Sequence, residues 1–408
     1  MKDEMLTDPR HWTPVRTYER THPWLTFDLT LRRASPKLWT LLGRAHSECE
    51  QIARVPLPPA SALELDRRCV AKGVAANAAI GGSAITEQDV LKQLKGELGF
   101  QPPRERLAQE TANLIEACKE IGKSFSSGKS ADLTVERIKS LNRTVLANTS
   151  VGPKVVPGEI RRHEVSGLGY KPAPAEDCEF LLGRLCQWLN GECFAPPPDL
   201  ELVCGLLKAI AAHVYIAWIH PFGDGNGRTA RLLEFQILLE VHIPAPAAHL
   251  LSSHYNQTRH EYYHQLQQAS ESGAGILPFI EYAVQGLIDG LKNLSKLVRE
   301  QQTAITWREH ICQIFRDKTA GPDVRRQHLA LDLFLRRDWV PVSEIRQISA
   351  RVAEAYAGKT PKCISRDLSI LEQMGLVERA RAAVRARPDI VSAFQPAGRR
   401  AGDANEAD

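Results

Sequence analysis

A glycine-rich segment at residues 220–231 combines the residue types that phosphate-transfer chemistry requires, in the order HPFGDGNGRTAR. Its backbone freedom comes from three glycines, at positions 223, 225 and 227. Because glycine has no Cβ, the backbone there can turn sharply and bring its N–H groups close to an anion. Asp224 offers a carboxylate for Mg²⁺, and Arg228 and Arg231 offer guanidinium groups that can clamp phosphates. The segment therefore predicts a site at which a phosphate-linked group is transferred.

Two apolar helices are predicted to hold this segment. Residues 201–219 are almost wholly apolar, interrupted by Lys208 and His213, which predicts a buried helix that ends at His220. After residue 227, apolar residues recur with helical periodicity up to residue 239. The segment thus leads into a helix N-terminus, where unpaired N–H groups and the helix dipole favour a bound anion. Two arginines in that first turn oppose the dipole, and a bound phosphate would compensate for them.

His220 has two interpretations on these residues alone. At the end of a packed helix and facing an anion-binding loop, it can act as a general base on an attacking hydroxyl. The alternative is a histidine that caps the last carbonyls of its helix, beside a Gly/Asn turn without a chemical role. The complete set of residues in the segment favours the general base.

The segment resembles the signature of Fic-domain proteins, His-x-Phe-x-(Asp/Glu)-Gly-Asn-Gly-Arg-x-x-Arg, and matches it at every position. The resemblance implies a mainly α-helical fold, a Fic-type helical bundle with a β-hairpin flap. It also implies an enzyme that transfers AMP from ATP to a Ser, Thr or Tyr hydroxyl of a target protein, with Mg²⁺ and release of pyrophosphate. Transfer of AMP ranks above transfer of a phosphoryl group, because the kinase relatives lack the full Gly-Asn-Gly-Arg pattern.

The resemblance also implies a role for each position of the segment. His220 is the base that activates the target hydroxyl, Phe222 is the buried anchor of the loop, and Asp224 is the Mg²⁺ ligand. The anion hole and the contacts to the β- and γ-phosphates fall to the remaining positions: Gly225, Asn226, Gly227, Arg228 and Arg231.

Two further stretches resemble parts of the same family. Residues 157–165 and 167–174 resemble the flap, a β-hairpin that aligns the target segment beside the active site by strand addition. Residues 260–266 resemble a helix whose aromatic side chains approach the adenine, which implies that Tyr262 and Tyr263 bind the nucleotide. A tyrosine pair on a helix is also typical of core packing.

Many Fic proteins carry an inhibitory helix with the pattern (Ser/Thr)-x-x-x-Glu-(Gly/Asn), whose glutamate pairs with the second arginine of the signature. This chain allows two placements of that pattern. Residues 77–82 put Gly81 where the glutamate belongs, whereas residues 83–88 keep a glutamate, Glu87, but lose the final Gly or Asn.

Local sequence favours Gly81 at the glutamate position. The apolar pattern of about residues 63–80 should end at the two glycines that follow it, and residues 86–89 form the capping box of the next helix. Glu87 is then an ordinary acid in a first helical turn. We therefore expect that Arg231 lacks its inhibitory partner and that the enzyme is derepressed.

The C-terminal part resembles a winged helix-turn-helix domain, with a recognition helix at residues 360–377 and a wing at 378–387. Residues 321–400 contain 15 Lys+Arg and 9 Asp+Glu, a net charge of +6, whereas the whole chain carries only +4. This excess predicts contacts with a phosphate backbone through four side chains: Lys362, Arg366, Arg381 and Arg385. The alternative is a module for protein docking or dimerisation whose basic face is solvated.

The composition predicts a globular protein of the cytoplasm. The 408 residues are 43% hydrophobic, enough for two or three domain cores. The N-terminus has no apolar signal segment, and no run of about eighteen apolar residues predicts a membrane span. The nine cysteines form no CxxC pair, which indicates reduced thiols rather than disulfides or a zinc site.

The predicted organisation comprises an N-terminal helical region (1–100) that includes the inhibitory-helix segment (about 63–82), a Fic catalytic domain (101–290), a helical linker (291–322), a winged helix (323–397) and a disordered tail (398–408). The predicted partners are ATP, a target protein with a free hydroxyl, DNA and a second copy of the chain. The alternative function, from a different class, is a DNA-binding regulator that senses a nucleotide without transferring it.

Overall fold

The computed structural model of the protein describes residues 15–97, 105–126, 132–165, 170–271, 273 and 275–391. The chain divides into two units, Met1–Ser295 and Lys296–Asp408. The predicted disordered tail and residues 167–169 of the predicted flap lie outside the described residues.

The first unit is built from helices. In chain order these are α1 (Thr17–Thr21), α2 (Pro36–Ala53), α3 (Pro59–Ile80), α4 (Glu87–Leu94), α5 (Glu105–Ser126), α6 (Val135–Val145), α7 (Cys178–Leu189), α8 (Glu201–Ile219), α9 (Asn226–Glu240), α10 (Ala245–Ala248), α11 (Leu250–Gln257), α12 (Arg259–Glu271) and α13 (Leu277–Ile314), which continues beyond Ser295. The mainly α-helical fold expected from the sequence is confirmed.

Helix α8 forms the centre of this unit. It is long and apolar enough to cross a membrane, but 89% of its apolar window is buried inside the protein. It packs along α9, and Gly205 makes the close approach possible, because a Cβ there would lie 2.3 Å from a side-chain carbon of Val241. The predictions that α8 is a core helix and that it ends at His220 are confirmed.

Helix α3 ends where the glycine pair predicts. Ile80 is its last residue, Gly81 follows in an ordinary backbone conformation (φ −77°), and Gly82 adopts φ +92°. Thr86 then starts α4 with a capping box, because its side chain accepts from the backbone N–H of Asp89 and the Asp89 side chain accepts from the N–H of Thr86. Glu87 accordingly lies in the first turn of α4.

The flap differs from the predicted β-hairpin. Within residues 157–165 and 170–174 the backbone pairing is a single bridge, Ile160 with Phe222, supported by the Arg161 N–H, which donates to the Pro221 carbonyl at 2.9 Å. Residues 160–161 thus pair with the glycine-rich segment, and the Ala173 N–H donates to the Trp218 carbonyl of α8 at 3.1 Å. Glycine and proline at the ends of a segment indicate turns, but they do not identify a strand's partner, which here lies about 60 positions further along the chain.

The second unit contains α14 (Gly321–Arg336), β1 (Val340–Pro341), α15 (Ala350–Ala355), α16 (Pro361–Gln373), β2 (Val377–Ala380) and β3 (Ala383–Ala386). The strands form an antiparallel sheet in the order β1-β3-β2. Its core includes Trp307, Ile311 and Phe315, which lie in the predicted linker 291–322. Buried Asp367 on α16 joins that helix to α14, because it accepts hydrogen bonds from the side chains of Arg325 (2.8 Å) and Arg326 (3.0 Å).

Candidate active site

His220 lies at the junction between α8 and the glycine-rich segment. Its backbone is left-handed (φ 50°), and its N–H donates to the Ile216 carbonyl at 2.9 Å. The ring Nδ1 lies 3.4 Å from the Ala217 carbonyl, so a proton on Nδ1 has an acceptor and Nε2 carries the free lone pair. Burial, and to a smaller extent the charge of Arg161, lowers the pKa of His220 to about 4. The ring is therefore a neutral base near neutral pH.

The loop after His220 is held rigid by Asn226. The Phe222 N–H donates to Asn226 Oδ1 at 2.9 Å, and Asn226 Nδ2 donates back to the Phe222 carbonyl at 2.8 Å. Both residues are buried, which agrees with Phe222 as the anchor of the loop. Because the Asn226 side chain is used inside the loop, its contribution to an anion hole must come from its backbone N–H at the start of α9.

Asn142 on α6 holds the loop from outside, and sequence analysis missed it. Its Nδ2 donates to the Asp224 carbonyl (3.0 Å) and to Thr229 Oγ1 (3.2 Å), and its Oδ1 accepts from the Gly158 N–H (3.0 Å). Gly225 adopts φ +78°, and a Cβ there would lie 3.0 Å from Asn142 Nδ2. Its position carries no local sequence signal, because its partners in the loop and in α9 lie more than 80 positions away.

Asp224 is the carboxylate available for a metal ion. Its Oδ1 accepts from the Gly225 N–H (2.5 Å) and from Arg228 (3.2 Å), and its side chain is 42% exposed. No cluster of three or more His, Cys, Asp or Glu occurs among the described residues. One accessible carboxylate fits Mg²⁺, which keeps several waters and is commonly held by one or two carboxylates together with substrate phosphates. Arg228 is also oriented by Glu110 on α5, at 3.9 Å.

Arg231 is buried, with 2% of its surface exposed, and α3 holds it through neutral groups. Its Nε donates to Asn77 Oδ1 at 2.8 Å, and one terminal nitrogen donates to the Asn77 carbonyl at 3.0 Å. Gly227 makes room for the guanidinium, because a Cβ there would lie 3.1 Å from it. Within the part of the chain that the structure describes, Arg231 forms no ion pair.

These contacts place the end of α3 beside Arg231. Gly81 lies one helical turn after Asn77, which agrees with the placement of residues 77–82 on the inhibitory pattern. The expectation concerned an inhibitory glutamate, and the residue that occupies donors of Arg231 is instead Asn77. The partner is neutral, however, and derepression stays a prediction.

The two tyrosines of α12 have different surroundings. Tyr262 is 2% exposed, lies 3.0 Å from His213 Nε2 through its hydroxyl, and packs against the rings of Tyr255 and Phe279. It is a core residue, as the packing alternative states, and not a free nucleotide contact. Tyr263 is half-buried, and its hydroxyl lies 3.5 Å from the Ile80 carbonyl at the end of α3. Of the pair, Tyr263 remains the candidate for contact with a base.

The flap contributes two residues that sequence analysis did not single out. The Tyr170 ring faces the His220 ring edge-on, with 6.4 Å between centroids, and burial raises the pKa of Tyr170 well above its usual value. Arg161 is fully buried behind the same histidine. Neither position carries a local sequence signal, because both contacts depend on chain separations of about 50 to 60 residues.

The fold and the site define a mainly helical protein with an anion-binding helix N-terminus beside a neutral histidine. A sequence model of the Fic/DOC family matches residues 132–238, which include α6 to α8 and most of α9. Residues 132–238 are therefore a region of this chain that is similar to the Fic/DOC family.

Curated relatives named Protein adenylyltransferase Fic align with part of the chain. The protein from Nematostella vectensis is 31% identical over 176 residues, 43% of this chain and 37% of the relative. The protein from Culex quinquefasciatus is 35% identical over 150 residues, 37% of this chain and 27% of the relative. The chain thus spans between about a quarter and two fifths of the length of these relatives.

Two solved structures share the fold. Fic-1 from C. elegans matches with a TM-score of 0.52 and 22% identity, over 64% of this chain and 73% of that one. A Fic family protein from Desulfovibrio desulfuricans G20 matches with a TM-score of 0.51 and 18% identity, over 86% of this chain and 96% of that one.

Proposed function

We propose that the protein transfers AMP from ATP to a Ser, Thr or Tyr hydroxyl of a target protein, or of itself, and releases pyrophosphate. The observation that carries the proposal is the neutral His220 ring, with a free Nε2 lone pair, beside the N-terminus of α9 and its loop. When a hydroxyl attacks a phosphate ester, a base has to accept the hydroxyl proton, and a neighbouring anion site has to stabilise the phosphate charge.

In the proposed reaction, His220 Nε2 accepts the proton of the target hydroxyl. The hydroxyl oxygen forms a bond to the α-phosphorus while the bond to pyrophosphate breaks, so no covalent enzyme intermediate is needed. The backbone N–H groups of Gly225, Asn226 and Gly227 stabilise the negative charge that develops there. Arg228, held by Asp224 and Glu110, reaches the leaving phosphates without reorganisation.

Asp224 would hold Mg²⁺, which supplies neutralisation of the phosphate oxygens and fixes their orientation. Arg231 has to exchange its bonds to Asn77 for bonds to a phosphate. A charge-assisted bond to phosphate is stronger than a bond to a neutral amide, so ATP can displace Asn77. Tyr263 of α12, whose hydroxyl lies near the end of α3, is the proposed contact for the adenine ring.

The test is intact-mass spectrometry of the full chain after incubation with ATP and Mg²⁺, with and without cell extract. We expect a mass increase of one AMP on the protein itself or on a protein of the extract, and its loss in His220→Ala. His264→Ala, which changes an exposed histidine of α12, is the matched control and should keep the activity. A wild-type protein that adds no AMP to itself or to any extract protein would refute the proposal.

We further propose that the second unit is a winged helix that binds DNA. Its order of helix, strand, two helices and two strands supports this, as do Lys362 and Arg366 on α16 and Arg381 at the turn of β2 and β3, all of which are exposed. Arg385 is already engaged, because it pairs with Glu378 at 2.8 Å and covers the Trp339 ring. Salt-dependent binding of a duplex that weakens in Lys362→Gln/Arg366→Gln would support this assignment.

A regulator that binds DNA without transferring AMP is the rival function. Tight, salt-sensitive binding to one DNA site, together with no AMP transfer, would favour it. Binding of a protein or of a second copy of the chain, and not of DNA, would assign the second unit to docking. We also propose a cytosolic location, because all nine cysteines are free thiols.

A further inference from the structure

Arg161 in the flap is a buried cation whose hydrogen bonds go almost entirely to backbone carbonyls. Its guanidinium donates to the carbonyls of His220 (2.7 Å), Ile219 (3.5 Å), His163 (2.9 Å) and Ala173 (2.5 Å). The carboxylate that pairs with it, Glu164, lies at 3.9 Å and is 70% exposed, whereas the Arg161 side chain is fully buried.

The position of these carbonyls explains why a buried cation is stable there. Ile219 and His220 end a 19-residue helix, and their carbonyls have no donors from a following turn. They also lie at the negative end of the α8 dipole, which stabilises a cation. Because His220 is left-handed, its carbonyl leaves the helix direction, and Arg161 is the side chain that holds it.

The same guanidinium joins two parts of the flap to the base. His163 lies just after Arg161, and Ala173 lies beyond residues 166–169. The Ala173 N–H in turn donates to the Trp218 carbonyl of α8 at 3.1 Å. Flap and helix end are therefore held in one arrangement by a planar group whose five N–H donors have fixed directions.

We propose that Arg161 is a positioning residue of the transfer reaction: its guanidinium fixes the His220 backbone and the flap together, so that the base and the bound target segment keep one geometry. This inference rests on the proposed function. Arg161 does not touch the reacting atoms. It acts through the carbonyl of His220, and its charge also disfavours protonation of the imidazole.

Among the described residues, several groups near the His220 ring affect its protonation. The Ala217 carbonyl and Asp224 in the loop favour the imidazolium, and Arg161 disfavours it. The Tyr170 ring contacts the imidazole edge-on. Burial is the largest effect and acts in the same direction as Arg161. Removal of the Arg161 charge should therefore raise the pKa of His220.

The experiment compares Arg161→Lys, which keeps the charge but cannot span four carbonyls, with Arg161→Gln, which loses the charge as well. Arg44→Gln, which changes an exposed arginine of α2 outside the flap, is the matched control. We expect kcat to fall roughly 10- to 100-fold in both Arg161 variants, since small displacements of a reacting group cost about that much. KM for ATP should change little, because the proposed nucleotide contacts lie on the loop, α9 and α12. Arg44→Gln should match the wild type.

If Arg161 had only a structural role, the two variants would show the same pH dependence of kcat/KM. The acid limb of kcat/KM should move to higher pH in Arg161→Gln and stay in place in Arg161→Lys. Wild-type kcat in Arg161→Lys, or an unmoved acid limb in a folded Arg161→Gln, would overturn the inference. If Arg161→Gln does not fold, as a thermal melt would show, kcat of Arg161→Lys decides alone.

Failure of the proposed function can be distinguished from failure of this inference. If the wild type transfers no AMP, the His220 pKa is measured directly by NMR of histidine-labelled protein. A higher His220 pKa in Arg161→Gln than in the wild type and in Arg44→Gln supports Arg161 as the group that holds the His220 ring and lowers its affinity for a proton. Equal values in all three proteins would overturn it.

Discussion

Replacement of Gly81 by glutamate tests how Arg231 is controlled. Gly81 follows Asn77 by four residues, so a side chain at 81 lies on the face of α3 that already contacts Arg231. The backbone at 81 has φ −77°, which any residue adopts, and a Cβ there would meet only the Ala78 carbonyl, at 3.3 Å. Gly81→Glu is therefore expected to fold and to bring a carboxylate to a buried cation that now has neutral partners.

The size of the effect follows from the exchange of partners at Arg231. A hydrogen bond to a charged group contributes about 1.5–3 kcal/mol net. A carboxylate that holds Arg231 by that amount in the absence of ATP must be displaced before the phosphates bind. At about 1.4 kcal/mol for each factor of ten, we expect AMP transfer at low ATP to fall about 10- to 150-fold in Gly81→Glu.

The assay is the initial rate of AMP transfer over a range of ATP concentrations, together with the Kd of a fluorescent ATP analogue. Gly81→Gln has the same length without the charge, and Gly81→Ala reports the cost of a Cβ alone, so both should stay within about threefold of wild type. An unchanged rate and Kd in Gly81→Glu would refute the placement of residue 81 opposite Arg231. A loss of equal size in Gly81→Gln would show that bulk, not charge, blocks ATP.

Two other predictions follow from buried groups. Burial lowers the pKa of His220 to about 4, and the neutral ring is the active form. We therefore expect kcat/KM to be constant around pH 6.5 and to fall only as the pH approaches about 4. A fall in kcat/KM near pH 6.5 would contradict the burial of the ring. Asp367→Asn should lower the free energy of unfolding of the second unit by about 3–5 kcal/mol, because it removes the carboxylate that pairs with Arg325 and leaves Arg326 with Asp323 alone. Hydrogen exchange measured by mass spectrometry would localise that loss, and Asp323→Asn, which pairs with Arg326 alone at a more exposed site, should lose much less.

The features predicted correctly from the sequence are those with local causes. The end of α3 follows from two glycines, the start of α4 from the Thr86 capping box, and the buried α8 from an almost wholly apolar pattern.

What the sequence could not predict depends on contacts between distant residues. Asn142 reaches the loop across 82 positions, and Arg161 reaches His220 across 59. Both residues look unremarkable in their own segments, one within a helix and the other in a stretch bounded by Gly and Pro. No local pattern marks a side chain whose function is to satisfy the backbone of another element, so these positions emerge only from the fold.

The two buried arginines near the site have different functions, although both carry a guanidinium group. Arg161 donates to the carbonyls of His220, Ala173 and Ile219 at once, so it stays in place and fixes the base. Arg231 is held by the side chain and carbonyl of Asn77, both neutral, so its charge is uncompensated until an anion arrives. A buried guanidinium without a carboxylate is costly, and a phosphate is the ligand that removes this cost. The difference predicts that substitution of Arg231 weakens ATP binding, whereas substitution of Arg161 lowers kcat with little change in KM for ATP.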